Sequence, residues 1–305
     1  MGVSSRSTHV RESTASRIFD VCNYVFLGLL GLVTIGPFLY LVAGSLTEAS
    51  YYRSVGVAFL PTRWTLDAYR LLLSGASRIY GGLRVSIFLS GVGTAVSLST
   101  TAALAYGASR KEVPGRGVIV FLIFFTMLFG GGMVPFYLVV AALGMINSLW
   151  SLIIPWAVNV WYMIIMMKFF ESLPRDLIDA ARMDGCGEMS IFLRIVLPLS
   201  RPVLATMGLF FAVDYWNEWF WPTIFLTDDQ IYPLQLVLRG ILSQMLQVTN
   251  PRASVDAAKM QLTAPPPVEV LRMASIVVTV LPITLVYPFL QKHFVKGIMI
   301  GSIKG

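Results

Sequence analysis

The stretch "DLIDAARMDGCGEMSIFLRIVLPLSRP", residues 176–202, is polar and punctuated by glycine, yet apolar runs lie on both sides of it. Leu173, Leu177, Ile178 and Ala181 fall at the spacing of one face of a short helix, with Pro174 tolerated in its first turn. Arg175, Asp179 and Arg182 add charges at helical spacing. Gly185 and Gly187 then interrupt the pattern and give the backbone the freedom a sharp turn needs. A second apolar stripe follows at Met189, Phe192, Ile195 and Val196, and Pro198 and Pro202 end it. The expected product is a helix, a glycine turn and a helix. Two short amphipathic helices cannot bury their apolar faces alone, which leaves two readings. One is a hairpin lying on lipid headgroups; the other is a docking element whose side chains fill a groove in a soluble partner.

The flanks decide where this hairpin lives. The chain is 56% hydrophobic and 13% charged, against about 25% charged in a soluble domain, and its mean hydropathy is +0.73. Crossing roughly 30 Å of hydrocarbon takes about 20 apolar residues. Six runs reach that scale, at about Val21 to Leu46, Val85 to Ala108, Val118 to Ala142, Leu149 to Met167, Val203 to Leu226 and Leu271 to Gln291. The first is far longer than the apolar core of a signal peptide and has no cleavage context, so it reads as retained.

Orientation follows from Lys and Arg. Arg6, Arg11 and Arg17, then Arg110, Lys111 and Arg116, then Lys168, Arg175, Arg182, Arg194 and Arg201, then Lys292, Lys296 and Lys304 share one side, fourteen of the 23 basic residues. Both termini and the quoted loop are therefore expected in the cytoplasm. This bias accounts for most of the net charge of +7, and no basic, aromatic-interleaved segment points to nucleic acid. The expected organisation is a cytoplasmic tail over 1–20, a six-helix domain over 21–294 and a cytoplasmic tail over 295–305. The domain carries the cytoplasmic loop at about 170–202 and an extracytoplasmic loop at about 227–272.

Several chemistries are excluded or weakened. Cys22 and Cys186 fall near the reducing cytoplasmic side and form no disulfide framework. His9 and His293 lie far apart without ligand neighbours, so no metal site is expected. The phosphate-cradling pattern G-x-x-x-x-G-K-[ST] is missing; the terminal "GIMIGSIKG" lacks its Gly-Lys-Ser/Thr.

Within the spans, Gly93, Ser97, Thr101, Ala105 and Ser109 form one i+4 row, and Gly91, Ala95, Ser99, Ala103 and Gly107 a second. Such rows let helix backbones approach closely. Gly130, Gly131, Gly132 and Pro135 interrupt the third span, as a pathway border or a packed kink. Asp214 and Glu218, four residues apart on one helical face within an otherwise apolar run, are expensive in the membrane and hence a functional hypothesis by default. With Trp216, Asn217 and Trp219 they make a candidate substrate pathway, since aromatic faces and hydrogen-bonding neighbours suit sugars. Trp221 fits an interfacial aromatic belt better.

"DAARMDGCGEMSIFLRIVLPLSRP" resembles the EAA loop of ABC importer membrane subunits, roughly E-A-A-x-x-D-G-A, apolar residues, then I-x-L-P. Ala180, Ala181, Asp184, Gly185, Ile195, Leu197 and Pro198 match; Asp179 stands at the usual Glu and Cys186 at a usual Ala. In that family the loop is a coupling helix seated in a cleft of the ATPase subunit. "FGGGMVPFYLVVAALGMINSLWSLIIP", "FFESLPRDLIDAARMDG" and "DYWNEWFWP" extend the likeness to carbohydrate importers of the maltose-permease type. Within them the oligosaccharide branch is nearest, in particular importers of alginate oligosaccharides.

The resemblance implies an all-α, multi-pass subunit of the bacterial inner membrane, with six transmembrane helices, that moves oligosaccharides without bond chemistry of its own. The implied partners are a homologous second permease, two ATPase subunits that carry ATP and Mg, and an extracytoplasmic solute-binding protein. It further implies that Thr263, Ala264, Pro265, Pro266 and Pro267 of the outer loop meet the binding protein. Gly301, Ser302, Ile303, Lys304 and Gly305 of the tail would then meet the ATPases. Two rivals stand beside it: a proton-coupled secondary sugar transporter using Asp214 and Glu218, and a membrane-embedded enzyme, for which no catalytic acid cluster is evident.

Overall fold

A computed structural model describes residues 14–48, 51–52, 63–74, 77–248 and 269–285. The expected binding-protein contact at Thr263 to Pro267 and the tail at Gly301 to Gly305 lie outside the described residues, as do most of the N-terminal tail and both histidines. Among the described residues the regular elements are helices, joined by turns and loops, with one isolated antiparallel bridge between Thr47 and Trp64.

Among the described residues, one compact unit combines the N-terminal region with residues 269–277. Its long helix α1 (Thr14–Ser45) starts earlier than the apolar run does and is apolar on all sides. Phe19, Tyr24, Leu32 and Val33 stand exposed along it, as expected of a helix solvated by lipid. At its C-terminal end Gly44 lies against the Met273 thioether, which leaves no room for a Cβ there. Thr47 closes the helix end, its hydroxyl donating to the Ala43 carbonyl at 2.8 Å. A short helix, α2 (Asp67–Leu72), follows.

The second unit begins within α2, at Tyr69, and holds the remaining elements. Helices α3 (Arg78–Phe88) and α4 (Thr94–Ser109) are joined through a π-helical turn at Leu89–Gly93 into one continuous span. The two small-residue rows of that span part company. Gly93, Ser97, Thr101, Ala105 and Ser109 are buried, while Gly91, Ala95, Ser99, Ala103 and Gly107 face outward. At Gly93 the approach is close, since a Cβ would come within 2.7 Å of the Tyr215 ring.

Ser16–Ser45 and Arg78–Ser109 are each long and apolar enough to cross a membrane. The third, fourth and fifth runs are broken. Helices α5 (Arg116–Leu128) and α6 (Met133–Ala142) meet at a 116° bend across the glycine triplet, where Gly132 takes φ +86°. The run expected at Leu149 to Met167 is two pieces, α7 (Trp150–Ile153) and α8 (Val160–Glu171). Pro155 falls in this break, and the Asn159 side chain accepts the Tyr162 N–H at 3.2 Å to start α8 afresh. The carbonyls released at Trp156 and Ala157 are taken up by α4: the Ser97 hydroxyl donates to Trp156, and those of Thr100 and Thr101 to Ala157. That is how a membrane protein tolerates a broken helix.

On the side expected to be cytoplasmic come α9 (Arg175–Met183), α10 (Glu188–Ile191) and, after a π-helical turn at Phe192–Val196, α11 (Leu197–Leu199). An 84° bend at Ser200 leads into α12 (Arg201–Asn217). This helix stops before Glu218, and a short α13 (Phe220–Phe225) continues. The expected outer loop is in part helical, as α14 (Leu234–Val248), and residues 269–285 are helical as well.

Candidate functional site

Two places carry chemistry. The first is the hairpin of α9 and α10. Helix α9 ends as the glycine predicts: Gly185 takes φ +81°, the Gly185 N–H donates to the Arg182 carbonyl and the Cys186 N–H to the Ala181 carbonyl, both at 3.0 Å. This left-handed cap reverses the chain while satisfying the last carbonyls of the helix. Ile178, Ala181, Ile191, Phe192 and Val196 turn inward to pack with Met166, Met167 and Phe170. Ile195 and Leu197, two residues of the motif, also pack there and are internal supports. Leu177, Asp179, Ala180, Met183, Asp184, Gly185, Cys186, Met189 and Pro198 are exposed. Met189, expected on the packed stripe, therefore points outward.

Electrostatics fix the hairpin in place. Glu188 bridges the turn, its Oε1 accepting from the Arg182 guanidinium at 2.8–2.9 Å and its Oε2 from the Tyr106 hydroxyl at 2.7 Å. The Tyr106 hydrogen bond, and after it Arg182, hold the Glu188 carboxyl below its usual range. Arg182 also reaches Asp179 at 3.7 Å. Nearby, Arg116 donates to the Ala108 carbonyl at 2.6 Å and pairs with Glu171, which Lys168 approaches at 2.9 Å. These contacts tie the hairpin and the ends of α4, α5 and α8 together. Tyr106 and Glu188 escaped the sequence reading because 82 positions separate them; only the acidic first turn of α10 hinted at Glu188.

The second place is a cavity of about 670 Å³ lined by Trp156, Asn159, Trp161, Asp214, Asn217 and Glu218 among others. Its volume suits a small organic ligand. Indole faces and a rim of amide and carboxylate groups match the C–H patches and hydroxyls of a sugar. Asp214 accepts from the Tyr162 hydroxyl at 2.7 Å. It also lines a second, more apolar cavity of about 490 Å³, with Trp216, Pro282 and Ile283.

The five candidate pathway residues are not equivalent. Asp214, Asn217 and Glu218 line the larger cavity. Glu218 does not share a helical face with Asp214, because α12 ends at Asn217; instead its Oε1 accepts the N–H groups of Phe220 and Trp221 at 2.9 and 3.1 Å and starts α13. Trp216 is buried, with its indole N–H donating to the Thr279 carbonyl at 3.2 Å. Trp219 carries the Arg239 guanidinium 3.7 Å above its ring. Trp221 is stacked on Phe225 and edge-on to Phe136. Trp156, Asn159 and Trp161 were missed, although Pro155 and Asn159 mark the break that exposes them. No three His, Cys, Asp or Glu side chains cluster at metal-binding range among the described residues.

Residues 2–300 match the family described as binding-protein-dependent transport system inner membrane component. Over 298 residues the chain is 44% identical to Protein LplC of Bacillus subtilis (strain 168), covering 97% of this chain and 99% of that one. It is 42% identical over 290 residues to the polygalacturonan/rhamnogalacturonan transport system permease protein YtcP of the same organism, covering 95% and 99%. A solved structure of a bacterial ABC transporter involved in the import of the acidic polysaccharide alginate superposes with a TM-score of 0.83 at 31% identity, covering 93% of this chain and 99% of that one.

Proposed function

We infer the function from a plain premise: the chain belongs to the binding-protein-dependent transport system inner membrane components. It is the membrane subunit of an ABC importer for sugars or oligosaccharides. Six membrane passages with both termini in the cytoplasm are the arrangement its charge bias supports. A second permease, two ATPase subunits carrying ATP and Mg, and an extracytoplasmic binding protein complete the machine, and this chain performs no bond chemistry. Acidic oligosaccharides are the substrate class supported by relatives named for polygalacturonan and for alginate import.

The observation that carries the reading is the hairpin. It is fixed from within by Glu188 and the Gly185 cap, while Leu177, Ala180, Met183 and Met189 present a bare apolar surface. A surface so firmly held and so apolar suits a cleft in the ATPase subunit better than lipid headgroups. In this reading Asp179, Asp184 and Gly185 face the ATPase, and the larger cavity with Asp214, Asn217 and Glu218 is part of the sugar pathway. Thr263 to Pro267 serve delivery by the binding protein, and Gly301 to Gly305 contact the ATPases. Shortening 263–267 should lower stimulation by the binding protein, and deleting 301–305 should lower coupled hydrolysis, each with normal membrane insertion.

The deciding experiment is purification with the co-expressed partners, followed by ATP hydrolysis in vesicles against a panel of neutral and acidic oligosaccharides. Retained ATPase subunits and a response to uronate oligomers support the reading. A chain that accumulates sugar without ATPase partners overturns it in favour of a secondary transporter.

A further inference from the structure

We propose that Arg239 is the residue that selects acidic sugars, by meeting a carboxylate beside the larger cavity. This inference rests on the importer reading above.

The cavity itself poses the problem. Asp214 and Glu218 both line it, so an anionic sugar would enter against two carboxylates. The groups that hydrogen-bond to them, the Tyr162 hydroxyl and the Phe220 and Trp221 N–H groups, carry no positive charge. A uronate needs a cation, and Arg239 is one tied to the chain segment that lines the cavity. Trp219 directly follows Glu218, and Arg239 lies over its indole at 3.7 Å.

That placement is built into the fold. Arg239 sits on α14, and the first turn of α14 is locked onto α3. The Leu234 N–H donates to the buried Ser86 hydroxyl at 2.9 Å. Gly82 lets the backbones close up, for a Cβ there would lie 3.1 Å from the Leu234 Cα. Arg78 pairs with Asp229 at 2.7 Å just before α14 begins. Five residues beyond Leu234, Arg239 inherits this register. A guanidinium carbon held over a ring leaves N–H donors at the edge of the fork free to meet a carboxylate in two-pronged fashion. Its flat fork is what a lysine cannot copy. The side chain is exposed, so a sugar can reach it.

The test uses the full complex in vesicles with its binding protein, given a uronate oligomer or the same oligomer with its carboxyls reduced to alcohols. Arg239→Gln should lower uptake of the uronate oligomer roughly tenfold, the order of one charge-assisted hydrogen-bonding contact. It should leave uptake of the reduced oligomer and the half-saturating concentration of binding protein as in the parent, and Arg239→Lys should recover part of the loss. Unchanged uronate uptake overturns the proposal. So does a shift in binding-protein saturation that accounts for the loss, since Arg239 would then meet the binding protein. A parent complex that takes up neither oligomer refutes the importer reading itself, and that outcome shows in the parent before any variant is compared with it.

Discussion

The Tyr106 hydroxyl donates to the Glu188 carboxylate at 2.7 Å, joining the membrane span of α3 and α4 to the hairpin outside it. Because this bond lowers the Glu188 pKa, the stabilisation it brings is complete above the ordinary carboxylate range and is lost as pH falls through the lowered value. Hydrogen exchange in the hairpin is therefore expected to speed up on acidification. In Glu188→Gln it should already be faster at neutral pH and lose that acid step. An acid step that persists in the variant assigns it to another group.

Gly185 is the second lever. A Cβ there would touch nothing within 4 Å, so the cost of a side chain is purely that of φ +81°. Gly185→Val should cost about 1–2 kcal/mol in the turn and reduce retention of the ATPase subunits at normal membrane abundance. Gly185→Asn, which tolerates the left-handed region, should stay close to the parent. Equal retention in all three complexes contradicts a docking role for the turn.

Glu218 separates the importer from a proton relay. Glu218→Gln keeps a side-chain oxygen for the Phe220 and Trp221 N–H groups, whereas Glu218→Ala removes it. The alanine variant should lose about 1 kcal/mol, seen as a lower Tm in detergent, and the glutamine variant, which keeps the cap and removes one opposing charge, should transport a uronate oligomer at least as well as the parent does. A glutamine variant that folds normally and fails to transport favours proton coupling.

The two small-residue rows of the span of α3 and α4 give a paired test. Gly93→Ala places a Cβ 2.7 Å from the Tyr215 ring and should destabilise by about 1–3 kcal/mol. Gly91→Ala meets nothing within 4 Å and should not destabilise this chain. Thermal unfolding of the two variants in detergent reads the difference.

The hairpin and the break at Gly130 to Gly132 were legible in the sequence, because glycine changes what the backbone can do wherever it stands. Which row of α4 is buried was not legible, since both have the same composition and spacing, and burial depends on where α8 and α12 pack. The pairing of Asp214 with Glu218 on one face failed for a local reason: Glu218 is worth more capping α13 than continuing α12. Hydropathy also hid the break at Pro155. A window average sees only apolar side chains, whereas the break is answered by three hydroxyls some 56 to 59 residues upstream.

Those hydroxyls set an order of events during biogenesis. Exposed to lipid, each orphaned carbonyl costs several kcal/mol, so the 150–171 segment is a poor passenger for the insertion machinery on its own. Ser97, Thr100 and Thr101 leave the ribosome first, and the stretch that needs them meets partners already in the bilayer. A fragment beginning at Leu149 is expected to insert poorly by itself and to recover when a separate 78–109 fragment is co-expressed, an effect that replacing the three hydroxyl residues with alanine should abolish. Synthesis from N- to C-terminus thus supplies the chaperone for this segment from within the same chain.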